Sequence, residues 1–310
     1  MVVVPPPPLR AFGVNNMSFH LTLPTILNQL VNGFALGTLL ILMAVGLTII
    51  MGLMRVINFT HGVLYALGAY TVVSLTVYTG FWPCLIIGPV LLGLVGMGIE
   101  STLIRRVYAR DPLHTMLLTF GLALMIEDMI RMAWGDAAYP MNAPSILSGV
   151  VDLKLVVFSK YRVFVIVFCG ALLTAVWYFL ERTPMGKTIL AGTFDREMVV
   201  ALGIPINLLF TITFGIGAGL AALSGVLNAP IQGVFPPMGS SILMPCFVVV
   251  IIGGMGSFWG AVIGGLLVGV VQSFTVEIFS AASEVIVFIL MAIVLLVRPR
   301  GIAGIEGLLE

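Results

Sequence analysis

From Met198 to Val276 the chain reads MVVALGIPINLLFTITFGIGAGLAALSGVLNAPIQGVFPPMGSSILMPCFVVVIIGGMGSFWGAVIGGLLVGVVQSFTV, with no Asp, Glu, Lys or Arg. A helix needs about 20 mostly apolar residues to cross a bilayer, so this stretch holds two or three crossings. Strands of an outer-membrane barrel alternate apolar and polar positions with period two. Here the apolar residues run continuously, which selects helices, the spanning structure that satisfies its own backbone. Two further charge-free runs, Ala11–Met54 and Val56–Ile99, read the same way.

Composition agrees. Of 310 residues, 60% are hydrophobic and 9% charged, where a soluble domain carries about 25% charged residues. Mean hydropathy is +1.18. Such a chain cannot cover a water-facing surface, which excludes a soluble enzyme and a disordered protein. A net charge of +1 gives no electrostatic footprint for nucleic acid. Lipid is the partner that composition implies, and the fold class is an all-α polytopic membrane protein.

Punctuated by Pro, Gly and charge, the chain divides into spans at about 24–53, 58–78, 84–104, 112–134, 163–180, 206–228, 241–252, 258–274 and 285–297. Pro230, Pro236 and Pro237 are expected to break the chain after the sixth. The seventh is short for a crossing and also fits a re-entrant segment, so the count is eight or nine. Residues 1–20 form a Pro-rich tail, with Pro5–Pro8 favouring polyproline. Residues 21–300 form a single transmembrane domain, with a polar loop at 182–205, and 301–310 form a second tail. Arg55, Arg105, Arg106, Arg110, Arg182, Lys187, Arg196, Arg298 and Arg300 fall on one side of nine crossings, against Arg10, Arg131, Lys154, Lys160 and Arg162 on the other. The richer side is cytoplasmic, with the N-terminus outside and the C-terminus inside.

Small residues recur at helix-packing spacing: Gly256, Gly260 and Gly264, then Gly265 and Gly269, Gly215 and Gly219, and Gly33 and Gly37. Close backbone approach is what drives helix association in lipid. Cys84, Cys169 and Cys246 stand apart in apolar stretches and read as small packing residues.

Motifs of catalysis are missing. Gly186-Lys187-Thr188 resembles the end of a phosphate loop, but Glu181 stands where the first Gly is required. The chain therefore needs no cofactor of its own. HExxH and GxSxG are absent, and His20, His61 and His114 are not spaced as metal ligands.

Three polar constellations remain. In the 182–205 loop, Asp195 is placed to cap a short helix, with Glu197 near its N-terminus, Met198, Ala201 and Leu202 on one face, and Gly203 to end it. Such a helix either docks into a partner's groove or lies passively at the headgroups. In the stretch Arg55-Val56-Ile57-Asn58-Phe59-Thr60-His61-Gly62, spacing puts Asn58, His61 and Tyr65 on one helical face. They serve either interhelical hydrogen bonds or the substrate path. Arg131 is spaced to pair with Glu127 or Asp128.

The ordered motifs Asn32-Gly33 … Leu36-Gly37 … Ala44-Val45-Gly46-Leu47-Thr48 … Gly52-Leu53-Met54-Arg55-Val56-Ile57-Asn58-Phe59-Thr60-His61-Gly62, then Leu67-Gly68-Ala69-Tyr70, resemble the start of branched-chain amino acid ABC importer permeases. The loop Asp195-Arg196-Glu197 … Ala201-Leu202-Gly203-Ile204 resembles that family's cytoplasmic loop. Gly253-Gly254-Met255-Gly256-Ser257 and Arg298-Pro299-Arg300-Gly301 resemble its C-terminal pattern. Val63 and Thr60 depart from it, standing where Glu and Ala are usual. The resemblance implies an ABC importer permease fold and a non-catalytic subunit of the bacterial inner membrane. The implied partners are a related second permease, two ATP-binding cassette subunits that bind the ATP, and an extracytoplasmic solute-binding protein. Asp195, Arg196, Glu197, Ala201 and Gly203 would then belong to the ATPase-coupling loop. Branched-chain amino acids are the family's usual substrate, while related permeases carry urea or small amides. An ion-coupled secondary transporter would require buried acids in its spans, and the run from Met198 to Val276 has none.

Overall fold

A computed structural model describes residues 22–108, 110–152 and 157–304. The expected Pro-rich tail at 1–20 and positions 305–310 lie outside the described residues.

Among the described residues, eleven α-helices carry the fold. These are α1 (Leu23–Met54), α2 (Thr60–Thr79), α3 (Phe81–Thr102), α4 (Pro112–Trp134), α5 (Lys160–Arg182), α6 (Pro184–Phe194), α7 (Arg196–Ala201), α8 (Ile206–Gln232), α9 (Met238–Gly253), α10 (Phe258–Phe279) and α11 (Val285–Val297). Seven of them, α1–α5, α8 and α10, are long and apolar enough to cross a membrane. The 16-residue α9 and the 13-residue α11 rise about 1.5 Å per residue and fall short of a hydrocarbon core about 30 Å thick. The nine expected apolar spans are present, with the last two odd-numbered ones both short.

One expected break is absent. Pro230 sits inside α8, which continues to Gln232 and stops at Gly233, where φ is +77°. A proline removes one backbone bond, and in a packed apolar helix neighbours make that loss tolerable. At Gly233, by contrast, a left-handed backbone ends the helix outright. One residue on, Val234 forms an antiparallel bridge to Tyr139, with N–H···O distances of 2.7 and 2.9 Å. The polar excursion between α4 and α5 also carries a small hairpin, Val150–Asp152 against Val157–Ser159, with Val151 opposite Phe158.

The core is built around α1. Every residue from Gly37 to Met54 is buried, as expected for a helix that is apolar on all sides. It packs against α10 and α8, and α8 packs in turn against α2 and α3. Glycines set these distances. A Cβ at Gly269 would lie 2.4 Å from Gly37 Cα, and one at Gly62 would lie 2.4 Å from the Gly239 carbonyl oxygen. Gly260 and Gly264 bring α10 against Gly253 and Val249 of α9 in the same manner. Gly256 does not share their helix face. It lies in the turn before α10 with φ of +82°, where its Cα approaches Gly52 at the end of α1. Cys84, Cys169 and Cys246 are free and buried.

Candidate functional site

Two ends of the bundle carry polar chemistry, and they lie at opposite ends of α1, α5 and α8. The first holds the 182–205 segment. Thr183 caps α6 by accepting from Gly186 N at 3.1 Å. Gly186, Lys187 and Thr188 therefore lie in helical turns, and a Cβ at Gly186 would sit 2.0 Å from the Phe179 carbonyl oxygen. Asp195 caps α7 by accepting from Met198 N at 2.9 Å. Leu202 N and Gly203 N close the far end onto Met198 O and Val200 O, and Gly203 takes φ of +77°. The capped helix spans Arg196–Ala201, inside the bounds that Asp195 and Gly203 imply.

Of the α7 side chains, Val199 is buried and anchors the helix. Met198, Ala201 and Leu202 are all exposed, together with Phe194. The apolar face is thus presented outward, with Leu202 72% exposed and Met198 56%. Asp195, Arg196, Glu197 and Gly203 are exposed beside it. An exposed apolar patch rimmed by charge is the usual mark of a docking surface.

Arg196 ties this helix to the bundle: its guanidinium lies 4.7 Å from the centroid of Phe210 on α8. Phe210 meets Tyr108 edge-on, centroids 5.2 Å apart. Tyr108 donates to Glu100 Oε1 at 3.1 Å, and Thr211 donates to Glu100 Oε2 at 2.6 Å. Arg105 closes an ion pair with Glu100 at 3.0 Å and also donates to the Asn207 carbonyl. The Glu100 carboxylate is fully buried. Burial first, and the Glu100 charge next, push the Tyr108 phenol far above its ordinary value, so it stays a hydrogen-bond donor. This network joins α3, α7 and α8. Spacing alone places Glu100 near a helix end, and its signal was a lone acid closing a long apolar run.

Two motifs far apart in sequence meet beside the C-terminal end of α1. Ile302 N and Ala303 N donate to Ile252 O and Gly253 O at 2.7 and 3.0 Å. A Cβ at Gly301 would lie 2.7 Å from Gly254 N. The Arg298–Gly301 stretch thus folds back onto the turn that follows α9.

Asn58, His61 and Tyr65 are all buried, but they do not form one helical face. α2 begins at Thr60, and Asn58 lies ahead of it, accepting from Thr60 N at 3.1 Å and from the Thr60 hydroxyl. An Asn before a helix satisfies a first-turn N–H and favours that end over helix continuation. His61 Nε2 donates to the Met43 carbonyl at 3.0 Å. Tyr65 OH accepts from Asn228 Nδ2 at 2.6 Å. Each side chain therefore carries an interhelical or capping bond. Arg131 pairs with Glu127 at 2.8 Å and with Asp136 at 3.1 Å, not with Asp128. The second partner comes from beyond the helix end, out of reach of helical spacing.

At the other end, α1, α5, α8 and α10 enclose a cavity of about 300 Å³ containing Asn32, Arg162, Asn228 and Gln272. It shares Leu36, Gln232 and Gln272 with a neighbouring cavity of about 420 Å³ bounded by α9 and α11. Polar positions scattered over four helices leave no motif in sequence, and tertiary packing alone brings them together.

Residues 29–297 match the family described as "Branched-chain amino acid transport system / permease component". The chain is 30% identical over 293 residues to the high-affinity branched-chain amino acid transport system permease protein BraD of Pseudomonas aeruginosa, covering 90% of this chain and 95% of that one. It is 30% identical over 295 residues to LivH of Escherichia coli, at the same coverage. With LivM of Escherichia coli it shares 25% over 287 residues, 84% of this chain and 67% of that one. The solved structure of PsaBC from Streptococcus pneumoniae in complex with Fab aligns with a TM-score of 0.45 at 15% identity, covering 90% of this chain and 91% of that one. The nine apolar helices, the ordered glycine motifs and the match over most of its length place this chain in the family of branched-chain amino acid transport permeases.

Proposed function

We propose that this permease carries branched-chain amino acids across the bacterial inner membrane as one subunit of an ATP-driven importer. A related second permease stands beside it, as LivM's likeness to this chain suggests. Two ATP-binding cassette subunits hydrolyse ATP, and a solute-binding protein delivers the substrate from outside. The permease supplies no hydrolytic group. It supplies a path, and a lever that couples the path to the ATPases.

The observation that carries this reading is the capped helix α7 with Phe194, Met198 and Leu202 exposed. Outward apolar side chains along the membrane-spanning helices have lipid or the second permease to cover them. These stand at the end of the helices among Asp195, Arg196 and Glu197, where water would penalise them unless a protein groove covered them.

The test is co-purification from mild detergent. Tagged wild type is expected to bring down the second permease and the ATPases. Met198→Asp with Leu202→Asp is expected to lose the ATPases and keep the second permease. Retention of the ATPases by the double variant would remove α7 from the interface. Wild type that purifies alone with its transport intact would overturn the importer assignment.

A further inference from the structure

At the end of the bundle opposite α7, one cation stands without a counter-charge. Arg162 lies in the first turn of α5, which holds no acid. A cation there opposes the positive end of the helix dipole instead of offsetting it. Arg162 is half-buried and lines the 300 Å³ cavity. It donates to a neutral amide, Asn32 Oδ1 on α1. Among the described side chains, no carboxylate lies within 4.0 Å of it. Glu277 accepts from Gln29, but the amides of Gln29 and Asn32 separate it from Arg162, and it does not line the cavity.

The other polar groups of this cavity are neutral, and two of them have donors to spare. Gln272 on α10 makes no hydrogen bond among the described residues. Gln232 on α8 accepts from Asn228 Nδ2 at 3.0 Å, and its own NH2 is unused among the described residues. One to two turns along α1 from Asn32 the wall is aliphatic, from Leu36 and Leu39, with Ile231 added by α8. A small anion with an apolar body fits these groups. The guanidinium fork takes a carboxylate through two parallel bonds. The amide NH2 groups donate to its remaining lone pairs, and the body leaves water against the aliphatic wall. A volume of about 300 Å³ is enough for a small-molecule site. Urea and simple amides carry no charge and would leave the cation uncompensated.

We propose that this cavity is a carboxylate site of the permease itself, in which Arg162 holds the carboxylate of a small molecule with an aliphatic body. An aliphatic amino acid is such a molecule, so the identity of the cargo rests on the amino-acid reading above. Arg162 has a purely structural alternative as a tie between α5 and α1, and the test separates the two.

The complete transporter, purified in mild detergent without the binding protein, is treated with phenylglyoxal, and modification of each arginine is read by peptide mass spectrometry. Leucine and isovalerate share the carboxylate and the aliphatic body. Each is expected to slow modification of Arg162 about threefold at two-thirds occupancy. Leucinol, which lacks the carboxylate, and inorganic phosphate, which lacks the body, are expected to give no protection. Arg131 is exposed and outside the cavity, and is expected to react equally throughout. A structural tie to Asn32 gives no protection that depends on a carboxylate. In proteoliposomes, Arg162→Gln is expected to lower leucine uptake about tenfold or more, the loss of one charged hydrogen bond, while ATP hydrolysis stimulated by the binding protein persists. Arg162 that is unreactive, or reacts equally with and without leucine and isovalerate, overturns the site and leaves the importer reading standing. Unchanged uptake in Arg162→Gln does the same. Equal protection by phosphate overturns the aliphatic carboxylate as its ligand. Protection by isovalerate in a transporter that carries no amino acid overturns the amino-acid reading and keeps the carboxylate site.

Discussion

The guanidinium of Arg196 lies 4.7 Å from the centroid of the Phe210 ring, joining the exposed helix α7 to a buried residue in the second turn of α8. Through Phe210 the contact extends to Tyr108 and to the buried carboxylate of Glu100. Packed side chains thus link α7 to α3 and α8, in addition to the short 202–205 connection.

That contact has a measurable share. Phe210→Leu keeps apolar bulk and removes the ring face. A cation–π contact at an exposed site is worth about 0.5–1 kcal/mol. Amide exchange across 196–201 is therefore expected to rise about two- to fivefold. In the assembled transporter, substrate moved per ATP hydrolysed is expected to fall. Exchange identical to wild type would disconnect α7 from Phe210.

The Glu100 network predicts an order of stabilities. Arg105→Ala leaves a buried carboxylate with only the Tyr108 and Thr211 hydroxyls. Removing one partner of a buried pair costs about 3–5 kcal/mol, and the lower end applies because Arg105 is 34% exposed. Glu100→Gln keeps one acceptor oxygen, for the Tyr108 or the Thr211 hydroxyl, turns the other into an NH2 donor, leaves no buried charge behind, and is expected to cost about 1–2 kcal/mol. Thermal unfolding in detergent should therefore rank wild type above Glu100→Gln and that above Arg105→Ala. The reverse order would show the ion pair to be dispensable.

Glycine contacts divide into two groups with opposite expectations. A Cβ at Gly269 would lie 2.4 Å from Gly37 Cα, so Gly269→Ala must push α1 and α10 apart. The expected loss is about 1–3 kcal/mol. Gly98 and Gly170 have nothing within 4 Å of the added atom. Alanine there is expected to be neutral or to stabilise the helix by up to about 1 kcal/mol. The same thermal assay distinguishes the groups, and equal effects at all three positions would remove the close-approach argument.

Sidedness follows from α5, which separates the excursion holding Ser148 from the segment holding Leu202. Cys84, Cys169 and Cys246 are buried, so a maleimide is expected to leave the folded native protein unlabelled. Leu202→Cys should react only from the cytoplasmic face and Ser148→Cys only from the outer face. Labelling of both from one side would overturn the arrangement of α5 as a crossing.

The spans were legible because a bilayer imposes a composition as well as a length. Residues 112–134 and 285–297 agree with α4 and α11 to the residue, since Pro, Gly and charge mark those ends. Local chemistry was legible for the same reason at α7, where one capping carboxylate and one glycine bound a short helix. Three readings needed the folded chain: Pro230 continues α8 because neighbouring helices hold it, Asn58 precedes α2 instead of joining its face, and Gly256 lies in the turn before α10. Arg131 pairs with Glu127 as its spacing allows and adds Asp136 from beyond the helix end.

Sequence alone determined that the chain crosses a membrane as helices, where most crossings lie, and that small residues bring those helices close. These properties depend on hydropathy and spacing, which each segment carries by itself. Tertiary structure decided which glycines face which helix, that Glu100 is buried and paired, and that Arg162, Asn32, Gln29 and Glu277 form one chain of hydrogen bonds across α5, α1 and α10. Most of those relations join residues far apart in the chain. Neither period nor composition records them, because the approach of one helix to another is set by packing across the whole bundle.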